Sequence, residues 1–192
     1  WKDDRQDDQE PDVAFADIAA DVSDGSILKA TNVDFTGGIE ASGRSKIILN
    51  GGSVTAGNFY DKANKPLYST EIGADGATIE LNNVRINSNL GAFDGGVITV
   101  NDSNVNADKA IYAEGGTINL ISTDGNVKYN VGSEGVQAAD GGVINIKGGG
   151  TFASNSYERC LAVQAFDGSV INVDSGKNKR SEEHTSELQS LS

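Results

Sequence analysis

The chain has no methionine, one cysteine, one histidine and two prolines among its 192 residues. Each shortage removes a class of chemistry. A lone cysteine, Cys160, excludes an internal disulfide framework and a zinc site made of cysteines alone. The only histidine, His184, lies close to the C-terminus. The body of the chain therefore has no imidazole to activate a thiol or hydroxyl nucleophile. Cys160, in the stretch YERCLAV, reads as a small apolar residue at a loop-to-strand junction. Cations are also scarce: 15 Lys and Arg stand against 28 Asp and Glu, a net charge of −13. That balance argues against nucleic acid or an anionic membrane surface as a partner. No apolar run is long enough to cross a bilayer, and no signal-peptide pattern is present. Apolar residues make up only 37%, enough for a core if they are gathered into columns.

The two ends read differently from the middle. The chain begins at Trp1 without a start methionine, as expected of an internal piece of a longer protein. Residues 1–23 form an acidic N-terminal segment that reads either as a solvated, disordered run or as a truncated coil, with Val13 to Ala16 as its remnant strand. At the other end, Arg180 to Ser190 reads RSEEHTSELQS, which resembles the translation of a common sequencing adapter. Residues 180–192 are therefore expected to be a non-native, disordered tail outside the fold. Without its one Arg and three Glu the net charge moves from −13 to −11.

What the middle has in abundance is a phrase, acid-Gly-x-x-Ile-x-aliphatic. It occurs as DGATIEL (Asp75 to Leu81), DGGVITV (Asp94 to Val100), EGGTINL (Glu114 to Leu120), DGGVINI (Asp140 to Ile146) and DGSVINV (Asp167 to Val173). A phrase returning at intervals of about twenty to twenty-seven residues is one structural unit reused. Aligned, it gives a first column of Leu28, Ile47, Ile79, Ile98, Ile118, Ile144 and Ile171. A second column follows two residues on: Ala30, Leu49, Leu81, Val100, Leu120, Ile146 and Val173. The residues between are mostly polar, so the columns share one side of a strand. A second strand is expected after a polar turn, where Val54 matches Val105, and Val84 and Ile86 follow a turn two residues shorter. A third precedes each acid-Gly turn.

The first column recurs at spacings of 19, 32, 19, 20, 26 and 27 residues, constant strands with variable loops. Three short strands per turn, stacked column on column, specify an all-β parallel β-helix over residues 24–179. Seven coils at the inter-strand distance of about 4.8 Å give a rod of roughly 34 Å. The Gly after each acid suits a corner needing positive φ or close backbone approach. Buried charge at Ile118 or Ile144 is expected to be severe, and Asn145→Asp mild.

The phrases DGGVITV, EGGTINL and DGGVINI, with the preceding IYAEGG and VQAADGG, resemble the passenger regions of bacterial autotransporters. The resemblance spans roughly Asp24 to Ser175 and implies a right-handed, pectin-lyase-like β-helix. It further implies a secreted, cell-surface rod of a Gram-negative bacterium, whose parent chain carries a C-terminal outer-membrane barrel. A host-cell or matrix glycan or protein would then be the partner, with no cofactor.

Enzymes share this class of fold, but the residues offer them little. Arg85, between Val84 and Ile86, should project outward beside Glu80 or a neighbouring coil's polar residue, as a solvated charge rather than a catalytic base. The acids Asp75, Asp94, Glu114, Asp140 and Asp167 read as a column that caps turns, with calcium as the alternative. Asn119, Asn145 and Asn172 read as a stacked amide ladder. The longest insertion, Gly57 to Ala74, carries Phe59, Tyr60, Lys62, Lys65 and Tyr68 around Pro66, and is the candidate binding loop. These residues lead to a non-catalytic stalk or adhesin, with no catalytic or metal residues assigned. A polysaccharide lyase or hydrolase whose site lies elsewhere, or a phage fibre, are the alternatives.

Overall fold

The computed structural model describes residues 18–56, 71–154 and 163–175 in full, and the backbone alone of residues 58–60 and 66–69. The strands come coil by coil. Coil 1 is β1 (Ile18–Val22) and β2 (Ile27–Thr36); coil 2 is β3 (Gly38–Ser42) and β4 (Lys46–Thr55). A hairpin, β5 (Asn58–Tyr60) and β6 (Pro66–Ser69), then leaves the stack. Coil 3 is β7 (Glu71–Asp75), β8 (Thr78–Asn82) and β9 (Arg85–Asn87); coil 4 is β10 (Asn89–Phe93), β11 (Val97–Asn101) and β12 (Val105–Asn106). Coil 5 is β13 (Ala110–Glu114), β14 (Thr117–Ile121) and β15 (Lys128–Val131). Coil 6 is β16 (Gly135–Ala139), β17 (Val143–Lys147) and β18 (Thr151–Ser154), and β19 (Val163–Ala165) and β20 (Val170–Asp174) begin coil 7.

Every strand pair between coils is parallel, and no helix occurs among the described residues. The first face is the seven-stranded sheet β1-β3-β7-β10-β13-β16-β19. The second and third faces form one eleven-stranded sheet, because β2 and β4 run unbroken around the corner between them. The molecule is a parallel β-solenoid.

Both expected columns stack in register. On the second face Leu28, Ile47, Ile79, Ile98, Ile118, Ile144 and Ile171 follow one another across successive coils. So do Ala30, Leu49, Leu81, Val100, Leu120, Ile146 and Val173. From coil 2 to coil 6 both columns are buried. The first face adds an aliphatic column, Ile39, Ile72, Leu90, Ile111 and Val136, and a column of alanines at 41, 74, 92, 113 and 138. Alanine is what fits where two faces converge at a corner.

The third face is built from Phe35, Val54, Ile86, Val105, Tyr129 and Phe152 in one register. Ile86, not Val84, lies opposite Val54 and Val105, so the turn before it is no shorter than its neighbours. Val84 is instead a buried corner residue whose N–H donates to Ser103 Oγ at 2.9 Å.

Two ladders of amides run along the outside. Asn172 Nδ2 donates to Asn145 Oδ1 (2.8 Å), Asn145 Nδ2 to Asn119 Oδ1 (2.9 Å), and Asn119 Nδ2 to Thr99 Oγ1 (3.3 Å). A second, not anticipated, runs from Asn101 through Asn82 to Asn50 at 2.7 and 3.0 Å. Identical amides one coil apart can each donate to the coil below and accept from the coil above, which ties coil to coil.

Candidate functional site

The acid-Gly corners come first, because they decide what the carboxylates can do. In five coils the corner is a four-residue turn closed by a bond from its last N–H to its first carbonyl: Ser26 to Ser23, Ser45 to Ser42, Gly96 to Phe93, Gly142 to Ala139 and Ser169 to Phe166. Its two central residues, such as Asp94 and Gly95 (φ 47 and 80) or Asp140 and Gly141 (φ 49 and 75), both have positive φ. That is the signature of a type I′ turn, which Asp-Gly tolerates better than other pairs. The coil 3 and coil 5 corners are one residue shorter. There Asp75 pairs with Phe93, and Glu114 with Ala139, as strand residues rather than turn residues.

The acids are therefore not the single column expected from sequence. They fall at two different positions, because Phe93, Ala139 and Phe166 are inserted ahead of their acids and nothing is inserted ahead of Asp75 or Glu114. No group of three or more His, Cys, Asp or Glu side chains converges as a metal site among the described residues. Other carboxylates close turns. Asp102 accepts from Thr123 N–H (2.7 Å) and Oγ1 (3.0 Å). Asp124 accepts from Asn126 N–H and Nδ2, both at 2.9 Å, and these bonds hold its carboxyl below the usual range.

Chemistry-bearing side chains gather instead on the outside of the first face. Its central outward column runs Asp21, Glu40, Gly73, Gly91, Tyr112, Gln137 and Gln164. Two glycines sit in the middle of it. Side chains from the flanking columns use the space they leave. Glu40 and Glu71 both lean over Gly73, each within about 4 Å of where a Cβ would stand. Over Gly91 lie the edge of the Phe93 ring and Glu71 Oε1, at 2.6 and 3.0 Å from the corresponding point. Phe93 also meets Tyr112 edge to face, with centroids 6.2 Å apart. Tyr112 in turn donates to Glu114 Oε2 at 3.1 Å.

Two depressions open here, of about 440 and 240 Å³, and Glu71 lines both. The larger also has Asn89, Lys109, Glu134 and Gln137; the smaller has Asp21, Glu40, Asp75 and Phe93. Burial, then the charge of Glu40, pushes the Glu71 carboxyl up, and Lys109 offsets part of this. Burial and then Asp21 push Glu40 up as well. Asn89 is committed to structure: its Oδ1 accepts from the N–H groups of Lys109 (2.9 Å) and Ala110 (3.2 Å) on the next coil.

Of the candidate loop residues, Phe59 and Tyr68 lie opposite each other in the antiparallel pairing of β5 with β6, and Tyr60 lies opposite Pro66. Lys62, Lys65 and Cys160 lie outside the described residues. The hairpin is inserted between β4 and β7, so the chain returns from it directly into Glu71. Arg85 is exposed as expected and sits opposite Ser53, a polar residue of the neighbouring coil, while Glu80 is held by Lys46 at 2.7 Å. The groove went unnoticed in sequence because its acids and rings come from separate coils. The available signal was the outward glycine pair, Gly73 and Gly91, in otherwise alternating strands.

No protein-family model, no curated protein sequence and no solved structure matches the chain.

Proposed function

We propose that this chain is a rod segment of a secreted, surface-displayed β-helical passenger, of the stalk or adhesin type and non-catalytic. The observation that carries the reading is the division of labour among its side chains. The regular columns, the amide ladders and the turn carboxylates all serve the stack, whereas the one irregular column, with glycines at 73 and 91, forms an outward groove. A rigid scaffold presenting one shaped face is suited to holding a ligand. The localisation and the Gram-negative source rest on the resemblance to autotransporter passengers alone.

A second reading has one observation in its favour. Glu40 and Glu71, both pushed toward the protonated form, share the space above Gly73. A pair of carboxyls, one of them with raised proton affinity, is the equipment of polysaccharide-cleaving enzymes. One assay separates the readings: the parent protein is incubated with polyuronate and neutral glycans, with and without calcium. The rod reading expects no turnover. Robust cleavage that disappears in Glu71→Gln would overturn it.

A further inference from the structure

The groove on the first face also indicates what it holds. We infer that it binds an amine-bearing glycan, lying along the rod axis across coils 1 to 6. This rests on the reading of the chain as a ligand-presenting rod.

Charge decides the sign of the ligand. Among the described residues, Asp21, Glu40, Glu71, Asp75 and Glu134 line the two depressions against one cation, Lys109. A polyuronate would meet like charge along its whole length. A ligand carrying ammonium groups would relieve the carboxylate repulsion that Glu71 and Glu40 impose on each other.

Spacing decides the class of chain. Neighbouring coils are about 4.8 Å apart, close to the length of one sugar ring along a glycan. Successive sugars of a β-linked chain are flipped, so the same face returns at every second sugar, close to two coil spacings. An extended peptide returns a side chain to one face only every 6.6 Å or so, and falls out of step. Backbone pairing offers a peptide nothing here either, because the inner strands of this sheet already have neighbours on both sides.

The walls match as well. Phe93 and Tyr112 lie on successive coils and supply apolar ring surface, against which the C–H face of a sugar packs and to which an ammonium is attracted. Gln137 supplies amide groups for hydroxyls. The glycine floor, with no side chain of its own, leaves the centre deep enough for a ring to reach the Glu71 carboxylate.

The test is calorimetric titration of the whole chain with a β-linked glucosamine tetramer, its fully N-acetylated counterpart and a galacturonate tetramer. At low salt the glucosamine tetramer should bind at least tenfold more tightly than either of the others, and raising salt to 0.5 M should weaken it. Glu71→Gln and Phe93→Ala should each weaken binding about tenfold or more. Glu80→Gln, on the second face, should leave it unchanged. Gly73→Ala gives an independent check: its Cβ would make only ordinary contacts (3.7 to 3.9 Å) with Glu40 and Glu71, so the fold stays intact while the floor rises. It should bind more weakly with an unchanged melting temperature. Equal or tighter binding of the acetylated or uronate oligomer, or no binding by a chain whose melt shows it folded, overturns the inference. Those results leave the rod reading standing, since that reading fails only on turnover.

Discussion

Tyr129 shows at residue scale how a solenoid core departs from its own rule. Its side chain is fully buried on the third face and stacked on Phe152, with ring centroids 4.7 Å apart. Its hydroxyl has no hydrogen-bond partner among the described residues, and burial pushes the phenol up to about 12. A buried hydroxyl without a partner costs about 1–3 kcal/mol. Tyr129→Phe keeps the ring stack and removes the cost, so it should stabilise by about 1 kcal/mol, read as a higher urea midpoint at unchanged slope. Glu71 makes a second residue-scale prediction. Its folded-state proton affinity is raised, so between its ordinary range and the raised value the native state holds more protons than the unfolded chain. Stability from this group is therefore complete below pH 4.5 and is lost as pH rises through the folded-state value. Thermal melts should show Glu71→Gln stabilising at pH 7.5, with the gain shrinking toward pH 4.5. A pH-independent difference would show that burial, Glu40 and Lys109 do not set its titration. Neither residue was legible in advance. Tyr129 follows Leu120 by nine residues where Val105 follows Val100 by five, so loop length hid its column. Glu71 acquires its surroundings from Glu40 and Lys109, which are distant in sequence.

Strands and corners were far more legible, because an element is specified by neighbours in sequence. Alternation fixed which side of β8, β11, β14, β17 and β20 faces inward, and identical phrase lengths fixed their register. The corners were half legible. The positive φ of Gly95 and Gly141 follows from the Asp-Gly pair, but the difference in corner lengths depends on where the preceding strand stops pairing, which only the first face reveals. The last corner residue is tight in coils 4, 5 and 6, where it is Gly96, Gly116 and Gly142. A Cβ on Gly142 would run into the Ala113 carbonyl oxygen of the coil before it. Yet the same position is serine in coils 2 and 7, where Ser45 Oγ donates to Val22 O at 2.6 Å and Ser169 Oγ to Ala138 O at 2.7 Å. The hydroxyl converts a close approach into a hydrogen bond between coils. Gly142→Ala should therefore cost about 1–3 kcal/mol, while the bulkier Gly142→Ser should cost less by about 1 kcal/mol. Denaturation midpoints that rank Ser below Ala would show that the carbonyl is not the group that matters there.

At the scale of the whole molecule, each coil touches only its neighbours, so stability is a sum of coil and interface contributions along one axis. The groove on the first face lies across those interfaces, and any ligand it holds would clamp them. Ile144 tests this one-dimensional picture. It sits in coil 6, fully buried, between Ile118 below and Ile171 above. Ile144→Asp places a carboxylate where no polar partner can reach it, and should cost more than about 4 kcal/mol, in the range of exceptional single substitutions. The neighbouring Asn145 faces the other way. Asn145→Asp keeps the bond accepted from Asn172 but loses the donor to Asn119, so it should cost only about 1 kcal/mol. Because coupling runs through nearest neighbours, the damage from Ile144→Asp should also be graded along the rod. Hydrogen exchange should find amides of β14, β17 and β20 losing protection first, with β4 and β8 retaining more of theirs. Equal tolerance at 144 and 145 would refute the assignment of inside and outside. Uniform loss of protection from β4 to β20 would show that the coils unfold as one unit, and that a ligand in the groove could stabilise the whole rod from any single coil.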